Sequence, residues 1–191
     1  EVRGCDGPLH ITVDQERNPL TDAFIRAGGE LGIPFVQDLN DRPAGGEGVG
    51  HATRTIRNGR RESAADAFLG KAKGRRNLRV LTGALAEKIL FDGNRASAVR
   101  VRTAAGVEDI IAAGEIIVSA GALMSPQLLQ RSGIGDAALL GGLGIPVVAD
   151  SPGVGEHMLE HRLSMMSFGI NQPWSHNFEL TGWRLVRNVL R

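Results

Sequence analysis

The chain has one cysteine, Cys5, no tyrosine, and only 4% aromatic residues among 191. A single thiol excludes an internal disulfide framework and fits a reducing compartment, and nothing in its sequence surroundings marks Cys5 as a nucleophile. An excess of charge is also missing: 22 basic residues stand against 21 acidic ones, a net charge of +1. That balance gives no electrostatic footprint for nucleic acid or for an anionic membrane surface. The short basic clusters at residues 57–61 and 71–76 read as solvated surface. No apolar run approaches the roughly 18 residues needed to cross a bilayer, and no segment has the pattern of a signal peptide, so a cytoplasmic location is expected. The chain opens Glu1-Val2-Arg3 rather than with Met, and its true N-terminus is expected upstream. Histidines number five, and only His157 and His161 stand four apart, without a helical pattern around them, so no metal site is expected. No carboxylate pair stands in an apolar setting suited to glycosidase chemistry. Internal repeats and low-complexity tracts are absent.

What the chain does have is an ordinary hydrophobic content of 42% and as many as 26 glycines, many of them at the ends of predicted elements, where a backbone turns or something packs closely. Asn18-Pro19 reads as N-cap and first helical residue, and Leu20, Phe24, Ala27 and Leu31 follow at helical spacing until Gly32 and Pro34. Residues 38–52 read as loop and residues 53–57 as a strand turning at Asn58-Gly59. Ser63 is placed as the cap of a short helix carrying Ala64, Ala67 and Phe68. A strand is expected at residues 78–82. An antiparallel meander then follows, with strands at 85–91, 96–102 and 107–111 and turns at Asp92-Gly93-Asn94 and Ala105-Gly106.

Residues 115–120 differ in kind. Ile116-Ile117-Val118 shows no alternation and predicts a strand covered on both faces, as in a central parallel sheet. Ser119, Ala120 and Gly121 stand at its carboxyl end, where open α/β sheets bind ligands and where small side chains let a backbone approach a nucleotide closely; tight packing is the alternative reading. Ser125 and Pro126 read as cap and first residue of a helix ending at Gly133, and residues 136–143 as a second helix. A brief strand at 144–148, a tight turn at 151–155, a strand at 163–170 and a helix at 179–190 complete the pass.

The stretch Gly121-Ala122, Ser125-Pro126, Leu128-Leu129 and Ser132-Gly133-Ile134-Gly135 resembles the second signature of the glucose-methanol-choline (GMC) oxidoreductases. Further landmarks in the expected order resemble the choline-dehydrogenase-like branch: Asn18-Pro19-Leu20, Thr55 to Arg61, Ser63-Ala64-Ala65, Asn77 to Gly83, Leu143 to Val148 and Pro152 to Glu156. Two departures fall in one loop, with Glu160-His161 where Asp-His is usual and His157 where Asn is usual.

The resemblance implies an α/β fold, α+β overall. It would comprise part of a GMC-type FAD-binding domain with the small meander, and pieces of an antiparallel-sheet substrate domain. Residues 1–60 are then a substrate-domain or cap segment, 61–156 the FAD-binding segment, and 157–191 the start of the substrate-domain sheet. The implied cofactor is FAD and the implied partner a small-molecule alcohol; oligomeric state is not implied. Ala86, Ser119, Ala120, Gly121 and Ser125 are the implied cofactor-side residues, with the Ala86 backbone meeting the adenine edge. The family's G-x-G-x-x-G turn and its catalytic His are not found here and are expected outside this segment, so no catalytic residue is assigned. Alcohol oxidation by hydride transfer to flavin is the implied activity, with a hydroxynitrile lyase or a non-catalytic FAD-binding module as alternatives.

Overall fold

Asn18 and Pro19 open the first helix for simple reasons. The Asn18 Oδ1 accepts the Leu20 N–H at 2.8 Å, and Pro19 has no N–H to leave unpaired. In this computed structural model, which describes residues 4, 6–13, 18–40, 46–165, 167–174 and 176–190, that helix is α1, Pro19–Glu30. Cys5 lies outside the described residues. Helix α1 ends where Gly32 takes φ +80°; Gly32 N–H bonds to the Gly29 carbonyl and Ile33 N–H to the Gly28 carbonyl, a Schellman closure. The predicted apolar stripe, however, faces outward, with Phe24 73% exposed. The buried contact is Gly28, where an added Cβ would lie 2.9 Å from Val49 Cγ1.

The chain divides into two compact units, Glu1–Leu78 with Met165–Arg191, and Arg79–Ser164. Within the first, short strands β1 (Thr12–Val13) and β2 (Thr53–Arg54) pair antiparallel. Strands β3 (Ile56–Arg57) and β4 (Arg60–Arg61) form a hairpin whose turn residues Asn58 and Gly59 both have positive φ, as the two-residue turn requires. Glu62 is buried; its carboxylate accepts the His10 N–H at 2.8 Å and lies 3.3 Å from Arg57 Nε. A π-helical turn, Ala65–Leu69, leads into α2, Gly70–Ala72. Ser63 opens it by donating its hydroxyl to Asp66 at 2.7 Å while accepting the Asp66 N–H. The predicted helix at 179–190 is instead two pieces, α5 (His176–Glu179) and α6 (Gly182–Val189).

The second unit is built on the meander: β5 (Leu85–Asp92), β6 (Arg95–Thr103) and β7 (Gly106–Ile111), in that order. Ile89, Ala98 and Val101 are its buried residues, and Arg100 clasps Asp109 across β6 and β7 with two bonds of 2.8 and 2.9 Å. Helix α3 (Gly121–Arg131), β8 (Ile134–Gly135), α4 (Ala137–Gly142) and β9 (Ala149–Asp150) follow, with β8 and β9 parallel. Asp136 caps α4 by accepting the Leu139 N–H at 2.7 Å, and Leu140 behind it is fully buried.

Five expectations are corrected. Residues 78–82, 115–120 and the described part of 163–170 are not strands; each is apolar enough, but none has a ladder neighbour among the described residues, and a strand without a partner is only an extended segment. Ile117 is accordingly 82% exposed. The brief strand expected at 144–148 is not formed there; the two-residue strand β9 stands directly after it, at Ala149–Asp150. Helix α3 starts at Gly121 and takes Pro126 inside, in its second turn, where proline removes the helical bond to the Ala122 carbonyl.

Asp66 gives a pH prediction. The Ser63 hydroxyl and then the Ser63 N–H hold its carboxyl below the usual aspartate range. A depressed carboxyl contributes stability that is present above the ordinary value and is lost as pH falls through the lowered one. In the intact protein, Ser63→Ala should move the Asp66 midpoint upward in an NMR titration; an unmoved midpoint would contradict the assignment.

Candidate functional site

The signature stretch is organised by Ser132, which is 1% exposed at the end of α3. Its Oγ donates to the Leu128 carbonyl at 2.6 Å and accepts the Ile89 N–H at 2.8 Å. Two-residue turns close both ends of β6, so alternation along it directs the backbone N–H and C=O groups of Arg100 and Arg102 to β5, and those of Val99 and Val101 to β7. Ile89 and Ala86 lie opposite Val99 and Val101. Their backbone groups therefore turn away from β6, along the outer edge of β5, and Ser132 takes up that of Ile89.

The glycines after Ser132 are packing residues. Gly133 has φ +94°, and a Cβ there would strike the Pro146 carbonyl and come within 2.9 Å of Val148 Cγ2. Its own carbonyl accepts the N–H groups of Val148 and Ala149. A Cβ on Gly135 would come 3.1 Å from Gln130 Cγ, whose amide donates to the Val154 carbonyl at 3.0 Å. Ser-Gly-Ile-Gly thus locks α3 to β5 on one side and to the 146–155 segment on the other.

Between the start of β5 and α3 lies a hollow of about 300 Å³. Ala84, Ala86, Ala120, Met124 and Leu128 give it small or apolar lining, and Glu87, Gln127 and Arg131 are its polar side chains. Of the residues expected on the cofactor side, the structure brings Ala86 and Ala120 together here. Ser119 and Gly121 flank Ala120 and are exposed but line no part of this hollow. Gly121 has φ +87°, the left-handed conformation that turns the chain into α3 and favours glycine.

Ser125 is not the first cap of α3. It sits one turn inside, where its Oγ accepts the Ala120 N–H at 3.0 Å, and it faces a different hollow of about 570 Å³ shared with Pro126, Gln130 and the 153–156 turn. It therefore fixes Ala120 rather than lining the first hollow. The sequence reading missed Glu87, Gln127 and Arg131; the four-residue spacing of the last two on one helix was the available signal.

Ala86 fits a cofactor's nucleotide end on three counts. Its backbone edge points away from β6, its side chain is a methyl group, and among the described residues neither α3 nor any loop bonds to its backbone. No group of three or more metal-ligating side chains occurs among the described residues, and no described helix is long and apolar enough to cross a membrane.

The sequence matches the GMC oxidoreductases over residues 2–163, and the chain belongs to that family. An oxygen-dependent choline dehydrogenase of Pseudomonas putida is 43% identical over 187 residues, 96% of this chain and 33% of that protein. Pyridoxine 4-oxidase from Mesorbium loti superposes with a TM-score of 0.69 at 40% identity, over 78% of this chain and 29% of that one. An FAD-dependent oxidoreductase from Chaetomium thermophilum gives 0.71 at 34% identity, over 79% and 26%. The chain spans about a third of the length of the curated relatives it matches.

Ser132→Ala in the intact protein leaves the Ile89 N–H without its partner and should cost about 2 kcal/mol, in the range for a buried donor left unsatisfied. Gly133→Ala should destabilise at least as much, because both φ and the Pro146 carbonyl oppose a side chain. Urea unfolding midpoints measure both, and unchanged midpoints would contradict the packing role.

Proposed function

We propose that this chain builds the adenosine side of the FAD cleft in a GMC oxidoreductase that oxidises an alcohol. The observation that carries the reading is a hollow lined by both Ala86 and Ala120 among small side chains, with the Ala86 backbone edge on the side of β5 away from β6. An adenine needs a flat space and edge-on backbone donors and acceptors; a β-edge beside alanines offers both. In that reading Ala86 and Ala120 form the wall, Ser125 holds Ala120 in position, and Gly121 keeps the chain clear of the nucleotide. Ser119 stands next to the same approach.

Bound FAD supplies the redox chemistry, taking a hydride from the carbon that bears the alcohol hydroxyl. The residues of this chain bind and orient. None is assigned to move the hydroxyl proton: His51 faces Asp22 at 3.8 Å, and His157 and His161 lie on an exposed loop. The proton acceptor of the reaction is proposed to come from outside this segment.

Relatives named as choline dehydrogenases and neighbours named as oxidases support oxidation over lyase chemistry. Choline is the first alcohol to test. When the full-length protein is mixed with choline or a simple primary alcohol without oxygen, its flavin absorbance should bleach as aldehyde forms. Cyanohydrin cleavage with no bleaching by any alcohol would overturn the reading in favour of a lyase.

A further inference from the structure

Arg131 lines two hollows at once. One is the cavity between β5 and α3; the other, also about 300 Å³, is shared with Glu87, Lys88, Arg100 and Ile145. The carboxylates nearby are already engaged. Glu87 is bonded by Arg102 at 2.6 Å, and Asp109 is clasped by Arg100. Among the described residues Arg131 has no ion-pair partner. A planar guanidinium thus stands beside a space bounded mainly by small and apolar side chains, where the other polar lining is Gln127 and the Arg102-bound Glu87, and no carboxylate pairs with it among the described residues.

On that footing, and resting on the reading of the cavity as the adenosine subsite, we propose that Arg131 is a specificity residue for the purine end of the dinucleotide. Its guanidinium lies against the π-face of the base and so favours FAD over FMN. An uncompensated guanidinium stacks readily on an aromatic face because it is flat, delocalised and weakly hydrated, whereas an ammonium is a compact and strongly hydrated charge. Gln127, one helical turn earlier on the same cavity face, leaves room for the flat contact while adding no competing charge.

Arg131 also occupies the last turn of α3, where a cation complements the carbonyl end of the helix. A purely structural role would act on both flavins alike, so the two roles separate by experiment. Full-length apoprotein is titrated calorimetrically with FAD and, separately, with FMN.

Arg131→Ala should weaken FAD binding about tenfold, the scale of a cation against an aromatic face, and leave FMN binding unchanged. Arg131→Lys should not restore it. Unchanged FAD affinity, equal losses for both flavins, or full rescue by lysine would each overturn the proposal. Ala120→Leu, which fills the cavity, should weaken FAD binding and spare FMN. If Ala120→Leu leaves FAD binding intact, the cavity reading itself fails; if it weakens FAD while Arg131→Ala does not, the stacking role alone fails.

Discussion

One hydroxyl ties the second unit together. Ser132 Oγ takes the Ile89 N–H from the outer edge of β5 and gives its own proton to the Leu128 carbonyl, so the last turn of α3 and the meander share a buried three-centre contact. Without it β5 would present an unpaired edge donor at a buried position, and α3 would have only side-chain contacts to set its distance from the strand. The hollow lined by Ala86 and Ala120 lies between the same two elements. The candidate site therefore depends on a serine that does not line it.

This gives the signature stretch two distinct parts. At its start, Gly121 with φ +87° and Ser125 bonded to the Ala120 N–H set the path of the chain beside the hollow. At its end, the Ser132 hydroxyl ties α3 to β5, Gly133 lets the Pro146 backbone approach more closely than a side chain would permit, and Gly135 packs tightly on the Gln130 side chain. Gly133 is the tightest, since its carbonyl serves two N–H groups while its α-carbon faces the Pro146 carbonyl. The family signature and the wall of the candidate hollow thus occupy the same fifteen residues through different physical demands.

Local signals were legible in the sequence. Asn18-Pro19, Asn58-Gly59, Ser63 and Gly133 marked caps, turns and stops whose chemistry involves only neighbours in the chain, and the alternation through residues 85–111 marked the meander. Long-range facts were not legible in this way. Ile116-Ile117-Val118 has the composition of a covered strand, but strand formation depends on neighbours that composition does not specify, and the described residues supply none. The stripe Leu20, Phe24 and Leu31 marked an amphipathic helix correctly yet misidentified its buried side, because Gly28 packs on Val49 through the absence of a side chain and hydrophobic periodicity cannot register that. In the candidate site, the resemblance pointed to Ala86, Ser119, Ala120, Gly121 and Ser125, of which the hollow joins Ala86 and Ala120, whereas Glu87, Gln127 and Arg131 became visible only when β5 and α3 were brought side by side.

Backbone amide exchange in the full-length apoprotein, with and without FAD, tests the central claim most directly. If the edge of β5 and the start of α3 form the adenosine wall, FAD should slow exchange at Ala86 and across residues 119–122, and ADP alone should reproduce the effect. Protection by FAD elsewhere in the protein with these amides unchanged would contradict the account.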